Sequence, residues 1–122
     1  MYPFCFEGVR VSYPHPDYVM INHGTNDAAA DFAKFEAGYV RLLDAVYAAH
    51  SDTHVIVVTP FFGRKDKETR EVINTYNATH NRDIFLVDTT GWLPPEPLHP
   101  LRDGHRLAAE KLTAVLAAHF GL

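Results

Sequence analysis

The sequence contains one cysteine, Cys5, so no internal disulfide can form and thiolate metal sites that need several cysteines are excluded. Nothing around Cys5 is cationic enough to lower its pKa, and it reads as a small buried apolar residue. A basic run is also missing. Lys and Arg are scattered among Asp and Glu and the formal charge is −4, so nucleic acid is not expected as a partner. No stretch approaches the roughly 20 consecutive apolar residues of a membrane helix. The opening Met1-Tyr2-Pro3-Phe4-Cys5-Phe6-Glu7 has neither a basic region nor a cleavage site of a signal peptide. A soluble chain with no membrane partner is expected, and its compartment stays open. Serine is scarce as well, with only Ser12 and Ser51.

What is present is 122 residues, 47% of them apolar, a size that suits one domain over residues 1–122 with a buried core. Short apolar runs alternate with longer segments of helical spacing, which predicts an α/β fold with a mainly parallel sheet. Three core strands are expected at residues 17–22, 54–59 and 83–88. Each is nearly continuous in apolar residues, as strands are when helices cover both faces. The intervening helices carry Phe32, Phe35, Tyr39, Leu42, Leu43 and Val46 in the first and Val72, Ile73 and Tyr76 in the second. A last helix has Leu107, Leu112, Val115 and Leu116 on one side. Residues 4–11 alternate weakly and fit either an extra edge strand or an irregular arm.

Open parallel sheets bind ligands at the carboxyl ends of their strands, so the loops beginning at His23, Pro60 and Thr89 should share one face. The first loop reads Asn22-His23-Gly24-Thr25-Asn26-Asp27. It is either a polar turn in which Asn26 or Asp27 caps the next helix, or a site where the Gly24 N–H and the Asn26 amide meet the oxyanion of a tetrahedral intermediate. The third loop contains Glu96-Pro97-Leu98-His99-Pro100. A carboxylate three residues before a histidine can reach Nδ1–H and leave Nε2 free as a general base; otherwise His99 is an ordinary loop histidine. Phe62 and Trp92 are candidates to line a sugar cleft or to cap the core. The eight histidines are spread over both poles with no H-x-x-x-H pair on one helix face, so no metal site and no cofactor are expected. The run Arg64-Lys65-Asp66-Lys67-Glu68 reads as a solvated helix start.

Taken together, residues 16–27, with Gly24-Thr25-Asn26-Asp27, resemble the third conserved block of the SGNH-type (GDSL-family) ester hydrolases. Glu96-x-x-His99-Pro100-x-x-x-Gly104-His105 resembles the fifth block, which opens the last helix. The two helix-and-strand units between the blocks also match, so the resemblance covers nearly the whole chain. Thr59-Pro60-Phe61-Phe62-Gly63 and Asp88-Thr89-Thr90-Gly91-Trp92 most resemble members acting on acetylated carbohydrates. The resemblance implies a partial flavodoxin-like three-layer sandwich, with Gly24 and Asn26 as oxyanion donors and His99 as the base. It puts Glu96 where the family usually has Asp, and the substrate would be a small-molecule or carbohydrate ester.

The family's G-D-S serine block has no counterpart here. Ser51 falls at the opposite pole, Ser12 has no strand-to-helix turn to present it, and Thr25 reads as a turn residue. A truncated and catalytically impaired hydrolase is therefore expected. The alternative is an inactive, oligomerising remnant or a small-ligand-binding α/β module. The implied strand order would leave the first core strand as an apolar edge, which predicts a homo-oligomer, most simply a two-fold dimer burying Val19, Ile21 and residues 4–11.

Overall fold

The computed structural model describes residues 4–6, 9–10 and 15–122. Strands β1 (Phe4–Phe6) and β2 (Val9–Arg10) pair antiparallel with each other. They form a two-stranded sheet separate from the main one. The weakly alternating N-terminal segment is thus strand-forming, but it pairs with itself and does not extend the edge of the main sheet.

The main sheet has β3 (Tyr18–Ile21), β4 (His54–Val58) and β5 (Phe85–Val87) in the order β3-β4-β5, all parallel. Crossovers through helices are what parallel neighbours require. Helix α1 (Phe32–Ala49) joins β3 to β4, and α2 (Asp66–His80) joins β4 to β5. Helix α3 (Arg102–Phe120) follows β5. The chain is therefore α/β, with helices on both faces of a short parallel sheet.

Helix α1 starts where the Asp31 carboxylate accepts the Lys34 backbone N–H at 2.8 Å, one of the orphan donors of a helix N-terminus. The cap expected at Asn26 or Asp27 therefore lies further on, which leaves those two side chains unused by the helix. Phe35, Tyr39, Leu43 and Val46 face inward at three- and four-residue spacing. They pack with Val72, Ile73 and Tyr76 of α2 on Ile21, Val55 and Val57 of the sheet. Each fully buried side chain of this size contributes about 1.5–3 kcal/mol, so this face dominates the stability. Across the helix pair, the Tyr76 hydroxyl donates to Asp44 Oδ1 at 2.8 Å.

The opposite face is thinner. Leu112, Val115, Leu116 and Phe120 of α3 pack on Ile56, Val58 and Val87, and Ala108 is the residue α3 buries fully. Leu107, expected on the core side, is exposed; the inward stripe begins one position later, at Ala108. Because α3 sits over β4 and β5, the second face of β3 is left open, with Tyr18 44% and Met20 54% exposed. Continuous apolar character in β3 therefore does not mean cover on both sides. The Tyr18 ring meets Phe120 edge-on at 5.0 Å, and this contact shields one end of that open face.

Candidate active site

Parallel pairing sends the loops after β3, β4 and β5 to one end of the sheet. The first two loops are tightly joined. Asn22 Nδ2 donates to the carbonyls of Val58 at 2.9 Å and Thr59 at 3.2 Å, tying the end of β3 to the end of β4. Gly24 has φ +120, in the region that favours glycine. A Cβ there would meet Pro60 Cγ at 3.2 Å and Lys65 Cβ at 3.3 Å. The Gly24 carbonyl accepts the Asp27 N–H at 3.1 Å, which closes the turn that presents Asn26.

Two cations hold this turn from the β4–α2 loop. Arg64 Nη1 reaches the Thr25 carbonyl at 3.4 Å. Lys65 Nζ donates to the Ala30 carbonyl at 2.6 Å and to Glu68 at 3.2 Å, and lies 5.7 Å from the centre of the Phe35 ring. The Lys65 side chain is only 8% exposed, so it is a buried clamp and not part of a solvated helix start. It lies at a left-handed position, φ 55, and sequence spacing carries no signal for that. The Glu68 carboxyl is held below its usual range by its own backbone N–H and by Lys65.

The second and third loops are joined through threonines. Thr89 N donates to Thr59 Oγ1 at 3.0 Å and Thr89 Oγ1 to the Thr59 carbonyl at 3.0 Å; both side chains are buried. Beside them, Arg70 Nη2 pairs with Asp88 Oδ2 at 2.7 Å. Thr90, through its hydroxyl and backbone N–H, and Arg70 hold the Asp88 carboxyl below its ordinary range. Phe62 lies where these loops meet. It lines a cavity of about 200 Å³ with Glu96, Pro97 and Leu101, and a second of about 330 Å³ with Thr90, Gly91 and Pro95. Trp92 is half-buried against Ile56, Val58 and Val87, where it closes the end of the α3 face.

Gly24, Asn26, Glu96 and His99 thus all belong to loops at the carboxyl end of the sheet. Among the described residues the Asn26 amide and the Gly24 N–H are engaged by no other group. Asn22 and Asn77, by contrast, are both spent on backbone. Glu96 and His99 are exposed, and no hydrogen bond or ion pair joins them. Their stretch is positioned from behind: Gly104, in the first turn of α3, lets Pro100 approach so closely that an added Cβ would lie 3.0 Å from Pro100 Cβ. Ser51 lies at the far pole, its hydroxyl on Asp52 Oδ1 at 3.0 Å. Ser12 falls outside the described residues, and of Cys5 only the backbone is described. No group of three or more His, Cys, Asp or Glu positioned to hold a metal ion occurs among the described residues.

No protein-family model matches the chain. It is 30% identical to the cellulase/esterase CelE of Acetivibrio thermocellus over 98% of this chain and 17% of that protein. Among solved structures it is similar to an active-site mutant of a family two carbohydrate esterase from Clostridium thermocellum, with TM-score 0.77 and 30% identity over 94% of this chain and 40% of that one. A family two carbohydrate esterase from the same organism, in complex with cellohexaose, gives TM-score 0.73 and 29% identity over 88% and 37% of the two chains. An acetyl xylan esterase, Est2A, from Butyrivibrio proteoclasticus shares the fold at TM-score 0.71 and 17% identity, over 88% and 38%. The chain spans about two fifths of the solved chains it resembles and less than a fifth of the curated relative.

Proposed function

We propose, for a chain that belongs to the SGNH-type carbohydrate esterases, that it supplies the base and the oxyanion donors of an acetyl-ester hydrolase acting on carbohydrate. The observation that carries this reading is the contrast at Asn26. The turn around it is fixed by Asn22, Arg64 and Lys65, while among the described residues its own amide is left uncommitted. A donor held in place before charge develops is what stabilises a tetrahedral intermediate, and losing one such donor costs on the order of 10²–10³ in rate.

In this reading His99 Nε2 takes the proton of an attacking hydroxyl as its oxygen bonds to the acetyl carbonyl carbon. The carbonyl oxygen becomes the oxyanion and accepts from the Asn26 amide and the Gly24 N–H. As the carbonyl re-forms, the sugar oxygen departs with the proton held on His99; where the attacker is a serine, water deprotonated by His99 then attacks the acetyl-serine, acetate leaves and the serine oxygen regains the proton. Glu96 would orient the imidazole, its carboxylate swinging onto Nδ1–H when the site is occupied, since catalytic hydrogen bonds often tighten only in the complex. Phe62 offers an aromatic surface to the sugar beside Glu96, and Trp92 supports the wall behind it. The attacking hydroxyl is a serine from outside this sequence, or water activated by His99 directly, so the chain on its own is an impaired hydrolase.

A second reading, an inactive module that binds ligand and self-associates, is supported by the missing Glu96–His99 bond and by the place of β3 at the edge of the main sheet. An unpaired strand edge invites pairing with a second copy; Val19 and Ile21, expected at that contact, instead pack into the chain's own core, and Met20 is the exposed apolar residue of β3. Hydrolysis of a chromogenic acetate by the chain and its variants separates the two. The first reading expects slow turnover that His99→Ala and Asn26→Ala each abolish and Ser12→Ala leaves intact. Equal turnover in all variants would overturn it. Light scattering at micromolar concentration tests self-association, for which a clean monomer is the contrary result.

A further inference from the structure

Among the described residues β3 pairs with β4 alone, so its other side is an edge. The His54 N–H donates to the Asp17 carbonyl at 2.9 Å, and in a parallel ladder alternate residues turn their backbone groups to the neighbouring strand. The N–H and C=O of Tyr18 and Met20 therefore point away from β4, and no partner for them occurs among the described residues. Edges are commonly blunted by charged side chains, proline or a bulge. Tyr18-Val19-Met20-Ile21 has none of these, and its register with β4 runs unbroken.

Both faces beside this edge are unfinished. On the α3 side Tyr18 and Met20 are exposed. On the α1 side a groove of about 260 Å³ runs from His23, just past the end of β3, along the flank of the helix over Phe35, Gly38 and Leu42. Gly38 keeps it open: a Cβ there would have only the Arg41 guanidinium near it, at 3.9 Å. The rim carries Lys34 and Arg41, about two turns apart on one side of α1, and neither side chain has an ion-pair or hydrogen-bond partner among the described residues. Against them stands the single carboxylate of Asp27, so the rim is net positive.

We infer that the edge of β3 and the groove beside it form a docking site for an extended acidic segment of another polypeptide, which joins the sheet as a further strand. Its backbone bonds to the outward N–H and C=O groups of Tyr18 and Met20, as in strand addition generally. Its apolar side chains fill the groove on one face and cover Tyr18 and Met20 on the other, and its carboxylates meet Lys34 and Arg41. Charge selects this occupant over a second copy of the chain. Two β3 strands paired about a two-fold axis run antiparallel in one continuous sheet, which lays both α1 helices on the same face and sets the Lys34 and Arg41 side chains of one copy against those of the other. Like charges so placed oppose the pairing, whereas acidic residues complement it. The inference rests on the edge and the groove and stands apart from the esterase reading.

A synthetic peptide of about eight residues, valine alternating with threonine between glutamates at each end, tests it on the whole chain beside a counterpart with lysine in place of glutamate. The acidic peptide should bind, slow hydrogen exchange at the Tyr18 and Met20 amides, and leave exchange at the Ile56 amide, already within the sheet, unchanged. The lysine peptide should bind about tenfold more weakly, and the paired Lys34→Glu and Arg41→Glu substitutions should reverse that preference. Met20→Pro removes an outward N–H that β4 does not use, so it should abolish binding with circular dichroism unchanged; the charge reversals, both on exposed side chains, carry the test if that variant misfolds. Equal affinity for the two peptides would overturn the acidic partner. Binding without protection at Tyr18 and Met20 would overturn the added strand. Protection that rises with protein concentration in the absence of peptide would give the edge to a second copy and overturn the assignment.

Discussion

The turn at Gly24–Asn26 and the loop at Glu96–His99 sit at the same end of the sheet but are built in opposite ways. The first is bonded to its neighbour by Asn22, Arg64 and a buried lysine. The second is exposed, carries four prolines between residues 94 and 100, and makes no bond between its two chemical residues. One half of the proposed site is thus preorganised, while the other is held from its base, where Pro100 meets Gly104. An oxyanion hole needs rigidity because its work is electrostatic. A general base can complete its geometry when ligand arrives.

Substitutions in the two loops test this contrast. The largest effect is expected for Gly24→Ala, where the φ of +120 and the contacts with Pro60 and Lys65 combine strain and overpacking into a loss of about 3 kcal/mol by urea denaturation. Lys65→Met, which leaves the Ala30 carbonyl without its donor, should cost about 2 kcal/mol. Asn22→Ala gives up two bonds to backbone and should cost about 1 kcal/mol. The pH dependence at Asp88 is smaller. Its folded pKa is depressed, so its contribution is present above the usual carboxylate pKa of about 3.9 and is lost as pH falls through the folded value. With the Asp88 side chain half exposed, screening limits the effect to about 0–1 kcal/mol, and Asp88→Asn should flatten the acid limb of the stability curve by that amount. Smallest of all, Glu96→Gln and His99→Ala should move stability by no more than about 0.5 kcal/mol, while His99→Ala removes any esterase activity. A loss of several kcal/mol at His99 would mean that the base loop is as firmly built as the donor turn.

Much of this architecture is legible in the sequence because apolar period reports local structure directly. The runs at 18–21, 54–58 and 85–87 and the inward faces of α1 and α2 follow from it. Period does not say what lies opposite a face. Met20 and Leu107 look like core residues and are exposed: the cover offered by α3 stops short of β3, and the inward stripe of α3 begins at Ala108, one position after Leu107. Lys65 is the opposite failure: a charged residue in a charged run, buried because a left-handed turn folds its ammonium back onto the Ala30 carbonyl. At the site, the spacing of Glu96 and His99 says that contact is within reach, but an exposed loop leaves the orientation open. The motif at Gly24–Asn26 is better specified, since the positive φ at Gly24 is a backbone demand that the residue type itself announces.

The proposal depends on Asn26 and His99 facing one reacting group. Titration with methylphosphonate, a tetrahedral anion of the size of an acetyl intermediate, reads this directly through the Asn26 side-chain amide and the His99 imidazole resonances. The account predicts that both move together with a single dissociation constant, and that Asn26→Ala weakens the response at His99. Movement of one without the other, or two unrelated constants, would contradict it.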